Sequence, residues 1–148
     1  MTAANVVEFR QRSGAALVAP ETVSPQSVDK LQRAHTLLAL AAQSEPRDAI
    51  DWAYQAVLRC AGALVGAQVR EGARRRGVSQ NVWENVRKFR PDYQEWVDNF
   101  EPYARLHNEV RMGLVREVSA GAVRDLIAQA ESFVAAVEAE LGVLPAVA

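Results

Sequence analysis

Two histidines, one cysteine and a cluster of arginines are the residues of this chain best suited to chemistry. His35 and His107 stand far apart, with no His-x3-His or His-Glu-x-x-His spacing around either. Zinc needs three or four ligands in a compact set, so neither a metal nor a cofactor is expected. Each histidine reads instead as a boundary residue with a hydrogen-bonded ring nitrogen. Cys60 is the lone thiol, which excludes an internal disulfide framework. It has no strong base beside it and is expected to be a small buried hydrophobe. The carboxylates are scattered, and Glu138 and Glu140 are expected on a solvated face. Glycine-rich phosphate loops of the GxGxxG or GxxxxGK[ST] type are absent.

Charge is the strongest local asymmetry. Between positions 70 and 90 stand Arg70, Arg74, Arg75, Arg76, Arg87, Lys88 and Arg90, against Glu71 and Glu84 alone. Trp83 and Phe89 are interleaved with them. Cations beside aromatic rings suit phosphates and unstacked bases, so these seven residues are the candidate nucleic-acid contacts. An acidic stretch follows, with Asp92, Glu95, Asp98 and Glu101. A basic segment next to an acidic one equally suits self-association or a protein partner. The plainer alternative is a solvated loop, with Trp83 and Phe89 turned into the core.

These groups must be positioned by helices. Asp48–Val69 carries apolar residues at Ile50, Ala53, Tyr54, Val57, Leu58, Ala61, Leu64 and Val65. Ala122–Leu141 does the same with Val123, Leu126, Ile127, Ala130, Phe133, Val134, Val137 and Leu141. Both follow the i, i+3, i+4, i+7 rule of an amphipathic helix. An earlier helix is expected to start near Ser27 and end near Ser44. The short link through Glu45–Asp48 then makes an antiparallel hairpin. The hairpin's second helix also has a small face of Ala49, Ala53, Ala56, Cys60, Ala63 and Ala67, with Gly62 and Gly66 among them. That face is expected to pack tightly, within the chain or across a dimer.

Ser79 is placed as the cap of a short helix over Gln80–Phe89. Tyr93, Trp96, Phe100, Tyr103, His107, Val110 and Leu114 then form a seam at spacings of three and four. Pro102 is expected to break or kink it near Glu101. Aromatic residues of that seam could also line a pocket for a nucleotide or small ligand. Ser119 should cap the last helix, with Gly142 as its stop.

A chain of 148 residues suits one domain. The division expected is a tail over 1–26, a helical bundle over 27–142 and a tail over 143–148. A net charge of −1 gives no global pull toward nucleic acid or membrane. No apolar run nears the roughly 20 residues that span a bilayer, so the expectation is a soluble cytoplasmic protein with no membrane contact. The fold class expected is all-α, an up-and-down bundle of four to five helices.

Three segments carry a family resemblance. They are Ala49–Arg59 (AIDWAYQAVLR), Asn81–Val86 (NVWENV) with Tyr93–Trp96 (YQEW), and Asp125–Phe133 (DLIAQAESF). Together they resemble the actinobacterial branch of the HEPN (higher eukaryotes and prokaryotes nucleotide-binding) superfamily. The resemblance implies a HEPN-like bundle, often dimeric, whose active members are metal-independent ribonucleases of toxin or defence type. Their motif is an arginine, then a polar residue, then a histidine four to six residues further on, which places the arginine five to seven positions before the histidine. Here Phe100, Glu101 and Pro102 stand where that arginine would precede His107. Val28, Asp29 and Lys30 stand before His35. The expectation is therefore a non-catalytic interaction module, self-associating as a dimer or binding a protein partner. The alternative is an RNA-binding or RNA-cleaving protein, with Arg105, His107 and Arg111 as its catalytic candidates.

Overall fold

Helix signals in the sequence are resolved into five α-helices in a computed structural model that describes residues 23–72 and 77–143. They are α1 (Pro25–Ala42), α2 (Pro46–Gly72), α3 (Val82–Phe89), α4 (Gln94–Arg111) and α5 (Ala120–Leu141). A 3-10 turn at Pro91–Tyr93 joins α3 to α4. The fold is the all-α, HEPN-like up-and-down bundle expected, with no strand among the described residues. Residues 1–22 and 144–148 of the two expected tails lie outside those described.

Capping explains where the helices start and stop. Ser24, not Ser27, caps α1, its side chain accepting from the Ser27 backbone N–H. Ser27 is buried and its hydroxyl donates to the Ala63 carbonyl at 3.1 Å, so it ties α1 to α2 instead. Asn81 caps α3 by accepting from the backbone N–H groups of Trp83 and Glu84. Ser79, expected in that role, accepts from the Asn81 N–H and bonds Glu84. Ser119 caps α5, and Gly142 ends it at φ +72°, a left-handed conformation that glycine adopts without steric cost.

Pro102 does not break its helix: α4 runs unbroken from Gln94 to Arg111. A proline removes the hydrogen bond to the carbonyl four residues back. Here both Pro102 and Asp98 are exposed, so that carbonyl lies on the watered side of the helix.

The helix α2 is the spine, in contact with α1, α3, α4 and α5. Ala49, Ile50, Ala53, Tyr54, Ala56, Val57, Cys60, Ala61, Ala63, Leu64 and Val65 are all buried along it. Gly62, Ala63 and Gly66 of its small face lie toward α1, whereas Cys60 faces α5, its thiol 3.9 Å from the Phe133 carbonyl. A Cβ on Gly62 would meet only the Lys30 stem at 3.6 Å, and one on Gly66 only the Ser27 hydroxyl at 3.7 Å. Both are ordinary van der Waals distances, so the neighbouring alanines already set the spacing and neither glycine is required.

The other side of α2 is covered by rings. Phe133 on α5 lies 5.2 Å from Phe100, 5.1 Å from Trp96 and 6.5 Å from Trp83, between ring centroids. Phe100 in turn stacks between Trp83 and Trp96 at 5.9 and 6.2 Å. Tyr93 meets Phe133 edge-on. These are preferred aromatic separations. From Tyr93 to Phe100 the seam is thus packed core, with its rings filling the space a ligand would need, whereas Leu114, expected to extend it, lies past the end of α4 and is exposed.

Two outcomes follow for urea unfolding. Phe133→Ala should cost about 3–5 kcal/mol, because it empties the centre of the ring cluster. Gly62→Ala should stabilise by up to about 1 kcal/mol, the helix-propensity difference, since the added methyl has room.

Candidate functional site

His107 projects from α4 onto α2. Its Nε2 lies 2.8 Å from Asp51 Oδ1, and its ring is 4.7 Å from that of Tyr54. Asp51 also accepts from Gln55 Nε2 at 3.0 Å. Tyr54, one turn below, accepts from Trp83 Nε1 at 2.8 Å, which links the pair to the ring cluster. The His107 side chain is only 12% exposed, whereas Asp51 keeps 41% of its surface.

The electrostatics follow from this geometry. Partial burial pushes the Asp51 carboxyl up, but hydrogen bonds from Gln55 and His107 and the positive fields of His107 and Arg111 outweigh it. The net effect holds the carboxyl below its ordinary value. Burial raises the Tyr54 phenol, with the Trp83 N–H acting the other way, so the hydroxyl stays neutral at physiological pH.

The three catalytic candidates do not converge. Arg111 is one turn beyond His107, on the same helix face, and its charge reaches Asp51. Arg105 is two residues before His107, and positions i and i+2 do not face each other. Its side chain is 65% exposed and lies 3.9 Å from Glu101 in a surface i, i+4 pair. The arrangement is therefore a histidine oriented by a carboxylate with one guanidinium nearby, and Arg105 stands apart from it.

His35 occupies a second, separate setting. Its Nε2 lies 2.7 Å from Glu138 Oε2 on α5. Glu138 was expected on a solvated face, yet its side chain is 6% exposed. It lies one turn from Val134 and next to Val137, which are both buried where α5 meets the bundle. The carboxylate is accommodated there because His35 reaches it. Among the described residues no group of three or more His, Cys, Asp and Glu side chains could hold a metal ion.

The basic segment is divided by the fold. Arg74, Arg75 and Arg76 lie outside the described residues, as does the side chain of Arg70. Arg87 and Lys88 are exposed on α3, with Lys88 donating to the Gly77 carbonyl at 3.3 Å. Arg90 is committed elsewhere. Its guanidinium lies 2.7 Å from Asp92 and 3.1 Å from Glu140, and sits over the Tyr93 ring. The Asp92 hydrogen bond is the main reason its positive charge is further stabilised. Arg90 thus pins the α3–α4 corner to the end of α5. Trp83 and Phe89 are half-buried and pack against the core. Cys60 is fully buried, and burial raises its thiol well above the ordinary range.

Asp51, Tyr54 and Glu138 are the site residues that motif reading does not single out. Each partner is more than fifty residues away in sequence from the histidine it touches, and no local pattern announces the pairing.

The depressed Asp51 carboxyl has a consequence for acid stability. A carboxyl with a lower value in the folded state binds fewer protons there than in the unfolded chain. Its stabilising contribution is present above the ordinary value of 3.8 and is lost as pH falls through the lower folded one. Asp51→Asn should therefore flatten the fall in Tm below about pH 4, as read by thermal melts across an acid series. The exposure of Asp51 and solvent screening keep the effect small.

No curated protein and no solved structure matches this chain. A family profile described as SAV_6107-like HEPN matches residues 39–138, from the last turn of α1 to the last turn of α5. That span contains α2, the ring cluster, the His107–Asp51 pair and Glu138, and this chain belongs to the SAV_6107-like HEPN family.

Proposed function

We propose that this protein is a non-catalytic HEPN module that acts through macromolecular contact, with self-association as its first mode. The observation that carries this reading is the engagement of His107. Its Nε2 is taken by Asp51, its ring lies against Tyr54, and little of it reaches solvent. A general acid or base must come within hydrogen-bond reach of the proton it transfers. Phe100, Glu101 and Pro102 occupy the stretch where the family's ribonuclease arginine would stand, and Arg105 faces away toward Glu101. His35 is likewise occupied, by Glu138.

A second reading, an RNA-acting protein, is favoured by two features. Arg87 and Lys88 are exposed side by side on α3, and Arg111 sits one turn from a histidine oriented by a carboxylate. Phosphate binding through such cations weakens steeply with salt.

The test is to incubate the purified full chain with end-labelled single-stranded RNA at low and moderate salt. Native and denaturing gels are run from the same tubes, and mass is read by light scattering. The proposal expects intact RNA and a mass above that of one chain. Cleavage that disappears in His107→Ala would overturn it. A salt-sensitive shift without cleavage, weakened by Arg74→Glu with Arg75→Glu, would favour the RNA-binding form of the second reading.

A further inference from the structure

Helix α5 presents two opposite charges among small residues. Arg124, Ala128, Glu131 and Ala135 recur at spacings of four, three and four, so they share one face, and all four are exposed. That face borders a groove between α1 and α5. About 730 Å³ of it lies beside Ala135 and Ala139, and a hollow of about 590 Å³ lies beside Arg124, Ile127 and Ala128. Ala42 and Glu131 line both, so the two adjoin. The α1 wall of the groove is apolar at Leu38, Ala39 and Ala42, and its one ionisable group, His35, is bonded to the enclosed Glu138. The charges left to meet an occupant are therefore Arg124 and Glu131.

Those two charges stand about 10 Å apart along the axis of α5 at 1.5 Å per residue, and neither joins an ion pair among the described residues. A cation and an anion in series on one face complement the same face read backwards. When two α5 helices lie antiparallel about a two-fold axis between Ile127 and Ala128, Arg124 faces the partner's Glu131. Ile127 then faces the partner's Ala128, and Ala120 faces the partner's Ala135. A parallel pairing would set Arg124 against arginine and Glu131 against glutamate. A two-fold contact uses the same patch on both copies, and complementary charge fixes its register. The alanines allow a close approach, since the distance between packed helices follows the side chains at the contact. The first half of the partner's α5, apolar at Val123 and Ile127, lies along the groove beside α1. Asp125, the other charge in that half, is bonded to Tyr103 of α4 and sets no repulsion against Glu131.

We propose that two copies of this chain associate through the α1–α5 groove about a two-fold axis, α5 antiparallel to the partner's α5, with Arg124 paired to the partner's Glu131 at two symmetric places. This inference rests on the self-association reading above and names its surface. Neither His107 nor the exposed cations of α3 line the groove, so the association is measured apart from any contact with RNA.

Sedimentation velocity on the full chain over a concentration series tests it, with three variants at exposed positions whose folding is checked by thermal melts. Arg124→Glu sets two carboxylates against each other across the axis, and Glu131→Arg sets two guanidinium groups against each other. Arg124→Glu with Glu131→Arg restores opposite charges there. The wild type should dimerise, and each single reversal should weaken the dimer at least about tenfold. The double reversal should return the affinity to within about threefold of the wild type, because the two sites are coupled only across the axis. A wild-type dimer left unchanged by both single reversals would overturn the proposal alone, placing self-association on another face. Single reversals that weaken the dimer with no recovery in the double variant would also overturn it, by removing the pairing of Arg124 with the partner's Glu131. A wild type that stays monomeric throughout the series would overturn both this proposal and the self-association reading.

Discussion

The structure depends on one helix being buried on nearly all sides. The α2 residues Ala49, Ala53, Ala56, Cys60 and Ala63 are small and fully inaccessible, which lets neighbouring helices lie close. Ile50, Val57 and Leu64 fill the wider spaces. A helix with neighbours on several sides has little perimeter left for polar groups, and each such group must find a partner. Ser27 does so through the Ala63 carbonyl, and Trp83 through the Tyr54 hydroxyl. No buried side-chain nitrogen or oxygen among the described residues lacks a hydrogen-bond partner.

The same constraint governs the histidines. Both sit where one helix crosses another, and both meet a carboxylate from a distant part of the chain. Removing one partner of a buried polar pair leaves the other unsatisfied, at a cost of about 1–3 kcal/mol. Glu138 is the clearer case, being almost wholly enclosed. The residues best suited to chemistry in the sequence are thereby engaged in holding helices together. Arg90 is similarly engaged, tying the α3–α4 corner to α5 through Asp92 and Glu140.

Much of the fold is legible in the sequence because helices are local objects. The apolar period of α2 and α5 follows from residues three and four apart, and the Ser119 cap and Gly142 stop are each set within one turn. The aromatic seam is visible in its spacing, although its role as solid core emerges only when Phe133 is brought to it from α5. Errors cluster where a distant partner decides. The first helix starts at Pro25, just before the Ser27 expected, and the Ser27 hydroxyl is turned to the Ala63 carbonyl. Glu138 looks solvated until His35 arrives from more than a hundred residues away. Gly62 and Gly66 suggest a close approach that neighbouring alanines already provide. Pro102 is a helix breaker by rule, but on a watered face the lost hydrogen bond is replaced by solvent. Of the candidate site residues, His107 and Arg111 come together around Asp51, and Arg105 does not.

The most direct test of the account is a double-mutant cycle on His107 and Asp51, read as unfolding free energy in urea. A residue kept for packing and hydrogen bonding should be costly to remove, whereas a residue kept for function is often neutral or stabilising to replace. The account predicts that His107→Ala destabilises the protein and that its effect is coupled to Asp51→Ala by about 0.5–3 kcal/mol. A His107→Ala protein as stable as the wild type or more so, with no coupling to Asp51, would contradict it and return His107 to the catalytic candidates.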